Sequence, residues 1–247
     1  MIRLDHMVKG CIFNLDGVLV DTAPYHYIAW RRLANQWGFD ISPEQHETLR
    51  GLSRMASLER VLEWGGSIYM TEAEKLHWGD VKNNWYVSLV RDMTPSEVLP
   101  GVHQFLTEVR ARGCRMALSS ASRSAREVLR KTDLERHFDA IIDGHLSRKP
   151  KPNPEGFMLA TEALGLSPQD CLVFEDSALG TMAGVFAKFQ VVGIGTADYL
   201  PQAHFVIPGF AAWSFEALLQ AMHVQLGCLQ EEGAQAAGVG VKDQEHV

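Results

Sequence analysis

Short apolar runs separated by helical patterns recur along this chain, and that alternation constrains the fold more than any other feature. Gly10 to Leu15 is apolar and closes on Asp16-Gly17, the pattern of a buried strand entering a loop. Met116–Ser119, Ala140–Asp143, Cys171–Phe174, Val191–Ile194 and Phe205–Ile207 are further strand candidates. Between them, Val102, Phe105, Leu106 and Val109 recur at helical spacing until Gly113 stops the run. Asn153-Pro154 reads as a helix start, and Ser214 as the cap of a last helix through Leu218, Leu219 and Met222. Strands alternating with helices predict an α/β fold, a Rossmann-like parallel sheet covered on both faces.

Residues 24–92 break this alternation with helix signals alone. Ser42-Pro43-Glu44-Gln45 and Thr71-Glu72-Ala73-Glu74 read as capping boxes, and Ile28, Leu33, Leu58, Val61 and Leu62 fit amphipathic helices. The reading is an all-helical cap domain at 24–92, inserted into a core formed by 1–23 and 93–228. Trp64, Trp78 and Trp85 are expected to fill the insert's interior. The tail 229–247 lacks a core pattern and is expected to be disordered.

A net charge of -7, from 30 acidic and 23 basic residues, argues against broad nucleic-acid binding. No apolar run reaches the ~18 residues of a membrane span. Cys11, Cys114, Cys171 and Cys228 are widely spaced without a CxxC pair, which argues against a zinc site or a disulfide framework. With no signal-like apolar segment in Met1 to Lys9, a reducing cytoplasm is the expected location and a monomer the expected state. Met7 would also serve as a start, making Met1 to His6 a native or added extension.

In an open parallel sheet, ligands bind beyond the carboxyl ends of the strands. Asn14 with Asp16, Ser120, Lys151, and Glu175 with Asp176 all fall at that rim. Clustered carboxylates repel unless a cation sits among them, and hard oxygen donors suit magnesium. A lysine and a serine hydroxyl beside it suit a phosphoryl group. Arg148-Lys149-Pro150-Lys151 reads as a solvated charge run in which only Lys151 is functional.

The run Phe13-Asn14-Leu15-Asp16-Gly17-Val18-Leu19-Val20-Asp21-Thr22 resembles the first motif of the haloacid dehalogenase superfamily of phosphotransferases. Ser120, Lys151-Pro152 and Glu175-Asp176 with Gly180 resemble its later motifs. Thr22-Ala23-Pro24-Tyr25-His26 through Ala29-Trp30, Arg50-Gly51-Leu52-Ser53-Arg54, Lys82-Asn83, Ser120-Ala121-Ser122-Arg123 and Lys151-Pro152-Asn153-Pro154 resemble the superfamily's beta-phosphoglucomutase branch. The resemblance spans about Val8 to Thr196. It implies a small phosphorylated sugar as partner and conversion of beta-glucose 1-phosphate to glucose 6-phosphate through an aspartyl phosphate. Position 14 would be the nucleophile and Asp16 the general acid and base. Mg2+ would be held by Asn14, Asp16 and Asp176, with Glu175 close by. Ser120 and Lys151 would hold the transferring phosphoryl group, and Arg54 the other phosphate. His26 and Lys82 would orient Asp16 and close the cap, with Trp30, Ala121, Ser122 and Arg123 around the substrate.

Position 14 departs from the pattern, because the family has aspartate there. An amide oxygen is a poor nucleophile and forms no stable acyl phosphate, so covalent transfer fails at its first atom. The intact remainder favours a substituted form of an active enzyme over a natural inactive relative, with deamidation back to Asp as a third route. Arg123 and Ser124 are smaller departures, where the family often has Lys and Asn. Two other functions compete with the mutase: a sugar-phosphate phosphatase of the same fold, and a non-catalytic sugar-phosphate binding protein.

Overall fold

The computed structural model describes residues 8–225. The expected tail 229–247, Cys228 and Met1 to His6 therefore lie outside the described residues. The apolar runs form six strands: β1 (Gly10–Phe13), β2 (Arg115–Ser119), β3 (Ala140–Ile142), β4 (Cys171–Glu175), β5 (Gln190–Ile194) and β6 (Phe205–Ile207). They make one parallel sheet in the order β3-β2-β1-β4-β5-β6. Helices α1 (Ala23–Gln36), α2 (Pro43–Glu47), α3 (Arg54–Trp64) and α4 (Glu72–Val90) follow β1 without an intervening strand. The rest are α5 (Val102–Ala111), α6 (Ala125–Lys131), α7 (Glu155–Leu164), α8 (Ala178–Phe186) and a last helix, α9, over 215–225. The expected α/β sheet with an inserted helical cap is the fold observed. Among the described residues, no helix is long and apolar enough to cross a membrane.

The period-2 alternation of the central strands builds two apolar layers. Cys11, Phe13, Met116, Leu118, Leu172 and Phe174 join the cluster on one face, with α5, α6 and α9. Ile12, Ala117 and Val173 join the cluster on the other, with α7. Phe13 and Phe174 pair across β1 and β4 and stack at 4.6 Å, both fully buried. Phe174→Ala is expected to cost about 3–5 kcal/mol, the range for truncating a buried phenylalanine. Urea unfolding measures this, and a loss below ~1 kcal/mol would show that the layer repacks freely.

The insert has an apolar cluster of its own, around Trp30, Leu33, Leu58, Val61 and Leu62. Trp64, Trp78 and Trp85 pack against it half-buried. Both expected capping boxes form: Ser42 with Gln45, and Thr71 with Glu74. Ile28 departs from the expectation and is 48% exposed, because α1 turns it away from both clusters. Ser214 Oγ accepts from the Ala217 amide, as an N-cap should. Asn153 also departs: α7 begins at Glu155, and Asn153 Oδ1 accepts from the Glu155 amide one residue before the cap position. Cys11, Cys114 and Cys171 are buried free thiols, and burial pushes Cys171 up to about 12, where it stays protonated.

Candidate active site

Asn14, Ser120 and Asp176 each follow the carboxyl end of a strand, and those strands, β1, β2 and β4, are adjacent. The chain reverses direction across the sheet at β1, where open parallel sheets leave a crevice. A cavity of about 900 Å³ lies there, between the rim and the helical insert. Asn14, Asp16, Ser120, Ala121, Ser122, Arg123, Lys151 and Asp176 line it from the core, and His26, Trp30, Arg54 and Lys82 from the insert.

Glu175 is the exception among the expected residues and stands behind the cavity wall, fully buried. Its Oε2 accepts from Lys151 Nζ at 2.6 Å, and its Oε1 from the Ser177 hydroxyl at 2.8 Å. A Cβ at position 180 would lie 2.1 Å from the Glu175 carboxyl carbon, so Gly180 leaves room for that carboxylate. Glu175 thus fixes Lys151, whose ammonium also reaches Asn14 Oδ1 at 3.4 Å.

Asp16 is held by Thr22, whose hydroxyl donates to Asp16 Oδ1. Neither His26 nor Lys82, expected to orient Asp16, forms a hydrogen bond to it; they bond to each other, Nζ to Nδ1, at 2.8 Å. Burial raises the Asp16 pKa against the opposing pull of Thr22, Lys151 and Lys82, which favours the protonated form. Thr22 sat within the recognisable first motif, but only its position next to Asp16 shows its part.

Lys82 is 2% exposed, and its ammonium lies over the rings of Trp30 and Tyr86. Burial, then the Arg54 charge, push its pKa down to about 7, with Asp16 pulling the other way. The folded protein releases this proton near pH 7, whereas the unfolded chain keeps it to about 10.4. This residue's contribution therefore makes stability rise with pH across that window. Lys82→Met, which removes the buried charge, is expected to raise Tm at pH 6 by about 3–6 °C, for ~1–2 kcal/mol recovered. The gain should shrink at pH 9, and a lower Tm at pH 6 would show that the charge stabilises the fold.

From the insert wall of the cavity, Arg54 donates to Asp80 at 2.8 Å and to the Gly79 carbonyl at 3.3 Å. Burial, then the charge of Arg123, lower its pKa, so half-buried Arg54 of the insert and exposed Arg123 of the core share one corner. Arg148 and Lys149 are exposed, as the solvated reading expects, and border the same cavity. Their backbone amides donate to Glu155 Oε2, which ties the loop to the start of α7. Arg50 lay within a recognisable stretch without an assigned role. Its Nε stands 3.5 Å from Asp176 Oδ2, across the gap between insert and core. Burial and the neighbouring Glu175 push Asp176 up to about 7.

A haloacid dehalogenase-like hydrolase family profile matches residues 8–187. The chain belongs to that family. Relatives within it include a beta-phosphoglucomutase of Bacillus subtilis, 36% identical over 201 residues, which cover 81% of this chain and 89% of the relative. A phosphorylated carbohydrates phosphatase of Thermotoga maritima is 31% identical over 185 residues, covering 74% and 83%. The crystal structure of a beta-phosphoglucomutase from Clostridium difficile superposes with a TM-score of 0.83 at 38% identity, covering 89% of this chain and 99% of that one. This haloacid dehalogenase-like chain is therefore similar to sugar-phosphate enzymes over sheet and insert together.

The magnesium ion expected from the family pattern needs converging oxygen donors. The Asp16 carbonyl and the Asp176 carboxylate qualify, but Asn14 presents nitrogen to them. Its Nδ2 donates to the Asp16 carbonyl at 3.1 Å and to Asp176 Oδ1 at 3.1 Å. Among the described residues, no three His, Cys, Asp or Glu side chains converge as a metal cluster. As arranged, the Asn14 site does not fit a magnesium ion.

Proposed function

We propose that this site is built for phosphoryl transfer on a sugar phosphate held at two ends, as in a sugar-phosphate mutase. The observation that carries the reading is that the neighbouring Arg54 and Arg123 line the same cavity as Lys151 and Ser120. Two neighbouring guanidiniums, Arg54 half-buried and Arg123 exposed, repel each other unless an anion lies between them, and their forks match phosphate oxygens. A bisphosphate intermediate, or a monophosphate in either orientation, then has an anion site at each end. The fitting reaction is conversion of beta-glucose 1-phosphate to glucose 6-phosphate, magnesium-dependent in the Asn14→Asp form, where a carboxylate supplies the third oxygen donor.

In that form the position-14 carboxylate attacks phosphorus, and the bond from phosphorus to the sugar oxygen breaks. Asp16, favoured in its protonated form by burial, gives its proton to the departing oxygen and takes one back in the reverse half-reaction. Lys151 and Ser120 steady the phosphoryl oxygens, and Thr22 holds Asp16 toward the cavity. In the chain with Asn14, binding proceeds and transfer does not.

A second reading, a sugar-phosphate phosphatase, draws support from the 31% identical Thermotoga maritima relative. Product analysis of the Asn14→Asp protein on beta-glucose 1-phosphate separates the two. Glucose 6-phosphate without stoichiometric phosphate release supports the mutase; free glucose and phosphate would replace it with the phosphatase.

A further inference from the structure

Asp176 is 5% exposed, and both its oxygens are engaged without an ion. Asn14 Nδ2 donates to Oδ1, and Arg50 Nε stands by Oδ2. The remaining amide atom, Asn14 Oδ1, accepts from Lys151 Nζ at 3.4 Å. Turning the amide over would set its NH2 against the Lys151 ammonium and its oxygen against two acceptors, the Asp16 carbonyl and Asp176 Oδ1. The network admits one orientation, and that orientation aims a donor at the atoms a cation would bind.

The positive charge comes from the insert. Arg50 is followed by Gly51 at φ 76°, where a Cβ would lie 2.6 Å from the Ser177 Cβ. Only glycine lets the loop approach the β4–α8 turn this closely, and that approach carries Arg50 to Asp176. The Glu47 carboxylate, 3.8 Å from Arg50 Nε, lies on the insert side of the pair.

We propose that this chain binds phosphorylated sugars without a divalent cation, the Asn14 amide and the Arg50 guanidinium together satisfying Asp176. The inference rests on the sugar-phosphate reading of the cavity and adds to it how this chain neutralises the site. A carboxylate at position 14 would lose the donor and add a second negative charge beside Asp176. Metal-free binding should then weaken in the Asn14→Asp protein, since the carboxylates would repel the incoming phosphate.

Calorimetric titration with glucose 6-phosphate, in EDTA and then in magnesium, tests this. For the Asn14 chain, Kd should agree within about threefold between the two conditions, less than the effect of one charge-assisted hydrogen bond. The Asn14→Asp protein should bind about 10- to 100-fold more weakly in EDTA, and magnesium should restore it. Arg50→Gln, which keeps Asn14, should weaken binding in EDTA by about tenfold. Titration with magnesium alone should show weaker binding to the Asn14 chain than to Asn14→Asp, and a gain on Arg50→Gln. A tenfold loss of the Asn14 chain's affinity in EDTA, or magnesium affinity equal to that of Asn14→Asp, overturns the proposal alone. Absence of glucose 6-phosphate binding to every form in both conditions overturns the sugar-phosphate reading beneath it as well.

Discussion

Replacing Asn14 with aspartate is expected to raise phosphoryl-transfer turnover by about 10^4- to 10^6-fold, or ~5–8 kcal/mol of barrier. The magnitude follows from the chemistry of one atom. The amide oxygen shares its electron pair with nitrogen and gives no stable acyl phosphate, whereas the carboxylate does. The surrounding groups need little rearrangement. Lys151 already reaches the position-14 oxygen, Asp16 is held by Thr22, and Ser120 lines the same wall. One change is required: a carboxylate cannot donate to Asp176, so the new charge must be met by magnesium supplied in the assay. Steady-state rates with beta-glucose 1-phosphate, magnesium and a trace of glucose 1,6-bisphosphate measure the difference. High turnover of the Asn14 protein, with intact mass excluding deamidation, would show that position 14 is not the nucleophile.

In the Asn14→Asp background, loss of Arg54 should divide a mutase from a phosphatase. A mutase holds a bisphosphate by both ends, because each half-reaction places one phosphate at position 14 and the other in the Arg54–Arg123 corner. Removing a partly desolvated cation from a phosphate costs ~2–5 kcal/mol, much of it from the partner charge left unpaired. Arg54 is half-buried and spends part of its charge on Asp80, so the lower half of that range applies. Arg54→Ala is expected to cut mutase kcat/KM by about 30- to 400-fold. Hydrolysis of acetyl phosphate, which lacks a distal phosphate, should change less than about threefold, below the effect of one hydrogen bond. Equal losses in both reactions would make Arg54 a structural residue of the insert, tied to Asp80 and the Gly79 carbonyl.

Local patterns in the sequence determined the sheet, its helices and the insert, because strand alternation, helical spacing and capping boxes depend on near neighbours alone. The Ser42 and Thr71 boxes and the strand ends at Phe13, Ser119 and Glu175 lie within two residues of where pattern reading puts them. The same logic placed Asn14, Ser120 and Asp176 on one rim, since any parallel sheet gathers the residues that follow its strands. Partnerships across long sequence separations were decided by the tertiary structure. Arg50 meets Asp176 across 125 intervening positions, and Lys151 divides itself between Glu175 and Asn14. Lys82 turned out to pair with His26 rather than Asp16 because α1 and α4 pack side by side, which no spacing rule encodes. The orientation of the Asn14 amide belongs to the same class. An asparagine in a motif says that a nucleophile is missing, but only the donors and acceptors packed around it decide that its NH2 faces Asp176.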